Sequence, residues 1–193
     1  VVGLGKAGCS IAKAFSKFPQ YQTYGIDTNS DADITIKAKK SHEEYDNSFP
    51  DLKRKLKLKD EDVLVVIAGA GKISGGSLRL LEQLQKNRLT VLYIEGDLTI
   101  MSEIQKKQEK IVSSVLQEYA RSGVLEQIIM VNNAYIERSI GDMSIIGYYD
   151  TLNQAIVNIV HMTNVFKHSE PVIGNFITPS ELSRICTLGA VTL

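Results

Sequence analysis

The chain has 193 residues, with 22 Lys and Arg balanced by 22 Asp and Glu, and 44% of its residues are hydrophobic. This composition is typical of a globular domain with one core, and the zero formal charge argues against a protein that tracks the phosphates of a nucleic acid. The apolar runs are too short for insertion into a membrane, no secretory signal is visible, and two Cys cannot form a disulfide framework, so we expect a cytoplasmic protein.

Short apolar runs alternate with longer amphipathic stretches, which is typical of βα units around a mainly parallel sheet. In the first part of the chain, the pattern predicts a strand at residues 1–4, a turn at 5–8, a helix at 9–18, and strands at 22–27 and 34–36. The next stretch, residues 41–59, is highly charged. Because acidic residues flank its lysines, we interpret it as a solvated helix face rather than a site for an anionic partner.

The run Val-Leu-Val-Val-Ile-Ala at residues 63–68 predicts a central strand that is buried on both faces. The pattern then predicts a glycine-rich loop at 69–76, a helix at 77–86, a strand at 90–95, a helix at 101–121, a strand at 127–131, a long helix at 150–167, a loop at 169–179 and a final helix at 180–186. The long helix is apolar around much of its surface, so we expect it to pack between two layers. These elements predict one Rossmann-like, three-layer α/β domain.

Two glycine-rich segments each connect a predicted strand to a predicted helix. Residues 3–8, the first glycine segment, form a GxGxxG pattern, where small residues allow backbone N–H groups and a helix N-terminus to meet a phosphate. Asp27 ends the second strand, where a dinucleotide-binding domain has its ribose-binding acid, so a Rossmann NAD(P) oxidoreductase is one interpretation. A tight turn without a ligand is another.

Residues 68–77, the second glycine segment, follow the central strand. The segment is not a Walker loop, because Ile73 stands where that pattern requires Ser or Thr after Lys72. Lys72 is either a cation for a phosphate or an exposed loop lysine. Two such segments suggest one polyphosphate that is held from both sides.

The arrangement resembles the GTPase domain of the tubulin/FtsZ family over nearly the whole chain. The first glycine segment with Cys9 and Ser10 is similar to the family's first glycine-rich loop, and residues 25–28 are similar to its INTD strand end. The second glycine segment is similar to its GGGTG[ST]G phosphate loop. Residues 128–133 resemble its strand that ends in Pro-Asn, and residues 148–153 resemble the start of its long central helix.

The resemblance implies a guanine-nucleotide-binding protein that uses GTP or GDP with Mg²⁺. It also implies head-to-tail assembly into filaments, with weak or assembly-dependent GTP hydrolysis and no nucleic-acid partner. Tyr148 would lie against the guanine and Asn153 would read its edge. The residues implied to contact the nucleotide are Gly5, Lys6, Ala7, Gly8, Cys9, Ser10, Gly71, Lys72, Ser74, Gly75, Gly76, Asn133, Tyr148 and Asn153. Residues 1–168 would form the nucleotide-binding domain, and residues 169–193 would lead toward a second domain that is absent or truncated.

Glu181 falls on the second acid of the family's loop that reaches the next subunit's nucleotide, which implies that it polarises the attacking water. Thr178 replaces the first acid of that loop. Residues 178–181 also form a [ST]xx[DE] capping box, so Glu181 is alternatively a helix cap.

Other departures from the family favour binding over hydrolysis. Residues 37–62 contain no counterpart of the loop that senses the terminal phosphate, and Lys72 and Ile73 replace two glycines. A nucleotide-free scaffold of the same fold is therefore a further alternative. We assign no metal-ligating residues: His161 and His168 are interpreted as structural, and Cys9 is interpreted as a packing residue rather than a nucleophile.

Overall fold

The computed structural model describes residues 1–141, 144, 146–174 and 183–188. The strands are β1 (Val2–Leu4), β2 (Tyr24–Asp27), β3 (Ile34–Thr35), β4 (Asp62–Ala68), β5 (Arg88–Ile94), β6 (Gln127–Val131) and β7 (Ile185–Thr187). The helices are α1 (Gly5–Phe15), α2 (His42–Asn47), α3 (Lys53–Leu56), α4 (Ser77–Gln83), α5 (Glu103–Arg121), α6 (Asn133–Ile140) and α7 (Tyr148–His168).

The strands form one seven-stranded sheet in the order β3-β2-β1-β4-β5-β6-β7. Every neighbouring pair is parallel. The predicted α/β class with a mainly parallel sheet is therefore confirmed. β4 lies near the middle of the sheet and is buried through almost its whole length, as its β-branched run predicts.

The core has two parts, one on each face of the sheet, because successive side chains of a strand point to opposite faces. In β4, Val63, Val65 and Ile67 face one part, whereas Leu64 and Val66 face the other. Helices α2, α3, α4 and α5 cover the first face, and α1, α6 and α7 cover the second. Helix, sheet and helix thus make the three layers that the sequence predicts.

Several predicted boundaries were wrong. The residues predicted as a turn at 5–8 form the first turn of α1, which ends at Phe15. The charged stretch holds two short helices instead of one, and α6 was not predicted. The predicted final helix at 180–186 is contradicted at its end, because Ile185–Thr187 pairs with β6 as an edge strand. The β-branched Ile185 and Thr187 suit that position.

Helix α7 is long, as predicted, but buries one face. Leu152, Ile156 and Val160 pack on the sheet, whereas Met162 and Phe166 on the outward side are 58% and 51% exposed. Burial of α7 between two layers is therefore not seen among the described residues. Within that part of the chain, no helix combines the length and apolar character needed to cross a membrane.

Candidate functional site at the carboxyl edge of the sheet

The strand order reverses next to β1. Helix α1 leads the chain from β1 to β2 on one side, whereas β4 pairs with the other side of β1. In parallel sheets this reversal opens a crevice at the carboxyl ends of the strands, where ligands bind. The first glycine segment follows β1 and the second follows β4, so the fold brings both to the same edge.

Close packing accounts for two glycines of the first glycine segment. A Cβ on Gly3 would overlap the carbonyl oxygen of Gly8, and a Cβ on Gly8 would lie 2.8 Å from the carbonyl oxygen of Val66. Gly5 has a φ of 74°, in the left-handed region that side chains disfavour. These glycines let β1, α1 and β4 approach one another, so packing explains them without a ligand.

The N-terminus of α1 is open to an anion. Leu4 is the N-cap residue, and among the described residues no side chain caps the first turn. Gly5, Lys6, Ala7 and Gly8 form that turn, which has no acidic residue, and Lys6 and Ala7 are exposed. The unpaired N–H groups and the positive end of the helix dipole favour a phosphate at this position.

Cys9 and Ser10, which follow that turn, are less available to a ligand. The Ser10 hydroxyl donates to the carbonyl oxygen of Lys6 at 3.0 Å. Burial, together with the negative charges of Asp27 and Asp33, raises the pKa of the Cys9 thiol to about 11. A thiol that is protonated at neutral pH is a packing group and not a nucleophile.

The hydroxyls of the second glycine segment bond to its own backbone. The segment contains a 3-10 turn at Lys72–Gly76, with Lys72 exposed. The buried Ser74 hydroxyl donates to the carbonyl oxygen of Gly71 at 2.6 Å, and the Ser77 hydroxyl donates to the carbonyl oxygen of Ser74. These bonds hold the turn and leave its serine hydroxyls engaged.

Helix α2 lies directly against the second glycine segment. A Cβ on Gly75 would overlap the carbonyl oxygen of His42, and a Cβ on Gly76 would overlap the ring of Phe49. Tyr45 of α2 is buried in the core. The charged stretch therefore presents an apolar face to the segment, which the sequence analysis missed, and packing alone requires both glycines.

Ile73 lies between the two glycine segments. Its Cγ2 methyl is 2.6 Å from the position a Cβ on Gly5 would take and 3.7 Å from the corresponding position on Gly71. The side chain is half-buried and packs against the core. The two segments thus face each other, but an aliphatic side chain occupies the space where they meet.

Two asparagines mark the end of β6. Asn132 caps α6: its Oδ1 accepts from the amide of Ala134 at 3.0 Å, and its Nδ2 donates to Glu95 at 2.9 Å. The next residue, Asn133, has a buried Oδ1 that finds no hydrogen-bond partner within the described part of the chain. A buried unpaired oxygen is unfavourable, so it marks a position where a donor from a ligand would be stabilising.

The predicted base-binding residues lie at the start of α7. Tyr148 is its first residue, and the Tyr148 hydroxyl donates to Glu137 of α6 at 2.9 Å. That hydrogen bond raises the pKa of Tyr148. Asn153 is half-buried in the second turn of α7. Because α1, α6 and α7 cover the same face of the sheet, these residues and the first glycine segment lie on one side of the crevice.

A buried tyrosine–glutamate pair supports the second glycine segment. The Tyr93 hydroxyl donates to Oε1 of Glu109 at 3.2 Å, and a Cβ on Gly69 would overlap that hydroxyl. Burial and the nearby Glu95 raise the pKa of Glu109. The sequence analysis missed this pair, whose only signal was a glutamate on the inward stripe of α5.

Three other predicted residues lie apart from this arrangement or outside the described structure. The Asp27 carboxylate is buried and accepts hydrogen bonds from the amide of Thr28 and the side chain of Asn29, so its oxygens hold its own turn. His161 stacks on Phe18 with ring centroids 3.7 Å apart, which is a structural role. Glu181 lies outside the described residues.

Comparison with solved structures identifies the fold, although no family model and no curated protein sequence matches the chain. The chain is similar to CetZ2 from Haloferax volcanii, solved as a GTPγS-bound protofilament, with a TM-score of 0.62 at 18% identity over 83% of this chain. It is similar to CetZ from Methanosaeta thermophila, with a TM-score of 0.63 at 16% identity over 89% of this chain. It also matches an empty FtsZ dimer from M. jannaschii, with a TM-score of 0.68 at 12% identity over 90%. The chain has the tubulin/FtsZ fold.

The chain spans just over half the length of these tubulin/FtsZ structures: 56%, 55% and 56% of the respective chains. The shared part includes most of the described sheet and helices. Identities this low show the fold, and the resemblance seen in the sequence is confirmed at that level.

The two glycine segments differ in how well they suit a ligand that carries phosphates. The open N-terminus of α1 suits phosphate oxygens, and the unpaired Oδ1 of Asn133 suits a donor. On the opposite side, the Ile73 methyl group faces Gly5, where a further phosphate group would need hydrogen-bond donors. The N-terminus of α1 therefore suits phosphate oxygens better than the position next to Ile73 does.

Proposed function

We propose that the chain is a guanine-nucleotide-binding protein that self-associates head to tail. The observation that carries this proposal is the uncapped, acid-free N-terminus of α1 at the reversal of strand order. An anion is stabilised there by the N–H groups of the first turn and by the helix dipole. Gly5, Lys6, Ala7 and Gly8 would hold the phosphates, with Mg²⁺ balancing their charge.

The base would lie at the start of α7. Asn153 has both a donor and an acceptor, which reading the edge of guanine requires, and Tyr148 supplies an aromatic ring. Asn133 would accept a hydrogen bond from the nucleotide through its unpaired Oδ1. Adenine presents a different arrangement of donor and acceptor groups, so we expect GDP to bind more tightly than ADP.

Self-association is supported by the solved relatives, since one is a protofilament and another is a dimer. In a head-to-tail contact, one surface of a subunit meets a different surface of the next, and repeated contacts build a filament. Glu181 would then reach the nucleotide of the neighbouring subunit and polarise water, so hydrolysis would be weak and would depend on assembly. A cytoplasmic location agrees with the two-cysteine composition.

A nucleotide-free scaffold is the second candidate, and the position of Ile73 favours it. Packing explains Gly3, Gly8, Gly75 and Gly76 without a ligand, so the glycines alone do not separate the two functions. The oxidoreductase alternative is weaker, because the carboxylate that would bind a ribose is engaged in its own turn.

Titration calorimetry with GDP and ADP in the presence of Mg²⁺ tests the proposal, preceded by extraction and identification of any nucleotide that copurifies with the protein. Wild-type protein is compared with Asn153→Asp and with a matched control, Asn158→Asp, at an exposed position of the same helix. We expect GDP to bind more tightly than ADP, and Asn153→Asp to weaken GDP binding by about tenfold or more while the control does not. Equal affinity for both nucleotides, or no binding of either, would refute the proposal.

A further inference from the structure

The side chain of Ile73 is placed to limit the length of the phosphate chain. Its Cγ2 methyl lies 2.6 Å from the Cβ position of Gly5 and 3.7 Å from that of Gly71. Gly5 and Gly71 belong to the two turns that lie after β1 and after β4. An aliphatic group at the meeting point removes room there and supplies no hydrogen-bond donor.

The fold sets the direction in which phosphates extend from the base. The proposed base site at the start of α7 and the first glycine segment lie on the face covered by α1, α6 and α7. The second glycine segment leads into α4, on the opposite face. A nucleotide that runs from α7 past the N-terminus of α1 therefore directs its last phosphate toward Ile73.

Apart from the ammonium group of the exposed Lys72, the side chains next to Ile73 offer little compensation for a phosphate that loses its water. The hydroxyls of Ser74 and Ser77 are bonded to backbone carbonyl groups inside the segment. A contact with α2 closes one side of Gly75, and the ring of Phe49, just beyond α2, closes one side of Gly76. A terminal phosphate at this position would exchange water for a methyl group, which is unfavourable.

We infer that Ile73 is a specificity-determining residue that makes the site selective for a nucleoside diphosphate over a triphosphate, an inference that rests on the proposed function. The additional phosphate of a triphosphate would meet the Ile73 methyl group, which borders Gly5 at the start of α1.

Calorimetric titration of GDP and GTP with Mg²⁺ into wild type, Ile73→Gly and Ile73→Ala tests this inference. Val124→Gly is the matched control, because Val124 is an exposed aliphatic residue beyond α5 at the opposite edge of the sheet. Circular dichroism melts establish that each variant is folded before titration, and Ile73→Ala serves if the glycine variant does not fold.

We expect wild type to bind GDP at least about tenfold more tightly than GTP. Ile73→Gly should raise the affinity for GTP by about tenfold or more and change the affinity for GDP by less than about threefold. The GTP affinity of Ile73→Ala should fall between those of wild type and Ile73→Gly, and Val124→Gly should bind both nucleotides as wild type does. Equal wild-type affinities for GDP and GTP would overturn the inference while nucleotide binding stands. If neither GDP nor GTP binds to wild type or to either Ile73 variant, the proposed function itself is overturned.

Discussion

Replacing Gly75 with alanine tests whether the packing of α2, without any ligand, requires glycine in the second glycine segment. The added Cβ would overlap the carbonyl oxygen of His42 and lie 2.8 Å from its carbonyl carbon. Because these are backbone atoms, α2 would have to move by about 1 Å to restore ordinary van der Waals separation. Overpacking of this kind costs about 1–3 kcal/mol.

Gly71→Ala is the matched control in the same segment. Gly71 has φ −88° and ψ 141°, which alanine adopts readily, and the nearest atom to an added Cβ is 3.7 Å away. The substitution should be neutral or should stabilise the fold by about 0.4–1 kcal/mol, because it reduces the entropy of the unfolded chain. The two variants should therefore differ by roughly 1–4 kcal/mol in the free energy of unfolding.

Urea denaturation without added nucleotide, monitored by far-ultraviolet circular dichroism, measures the difference in the free energy of unfolding between the two variants. In a thermal melt, at about 2–4 °C per kcal/mol for a domain of this size, Gly75→Ala should unfold roughly 2–16 °C below Gly71→Ala. Equal stability of the two variants would show that α2 does not restrict Gly75, and the packing explanation for that glycine would be wrong.

Three further predictions concern single side chains. Burial raises the pKa of Glu109 above its ordinary value of 4.5, so ionisation of this carboxyl destabilises the fold as pH rises from that value. Glu109→Gln should therefore be more stable than wild type at pH 7, and the difference should shrink as pH falls toward 4.5 and stay constant below it; a constant difference in urea midpoints across this whole range would contradict the reasoning. Burial raises the pKa of the Cys9 thiol to about 11, so its alkylation by iodoacetamide at pH 8, followed by peptide mass spectrometry, should be about 100-fold slower than that of an unburied thiol. Alkylation at the rate of an unburied thiol would show that Cys9 is not held protonated. Asn133→Ala removes a buried oxygen that lacks a hydrogen-bond partner in the described structure. The variant without nucleotide should therefore be as stable as wild type or slightly more stable, and it should bind GDP about tenfold less tightly. A loss of stability with unchanged GDP affinity would contradict our interpretation of Asn133.

Six of the seven described strands, β1 to β6, were predictable because each is a short apolar run next to turn residues. The run at residues 63–68 identifies β4, and the predicted strand at 127–131 coincides with β6. The long helices also follow from periodicity. In contrast, β7 has only three residues, and three residues contain too little periodicity to distinguish a strand from the end of a helix.

The candidate site was only partly predictable from sequence. The glycine patterns indicated two strand-to-helix turns, and the parallel topology brings them to one edge. The pattern did not reveal that α2 and the following Phe49 pack on Gly75 and Gly76, because these contacts cross about thirty residues of chain and depend on tertiary packing. The sequence did mark Ile73 as a departure from glycine, but the direction of its side chain toward Gly5 required the structure.

The most direct test of guanine-nucleotide binding at this edge is hydrogen–deuterium exchange, measured by mass spectrometry with and without GDP and Mg²⁺. We predict slower exchange in peptides that cover residues 5–10 and 133–153, and unchanged exchange at residues 20–24 and 161–168 at the opposite end of the sheet. Protection confined to the opposite end, or unchanged exchange throughout at saturating GDP, would contradict the proposed site.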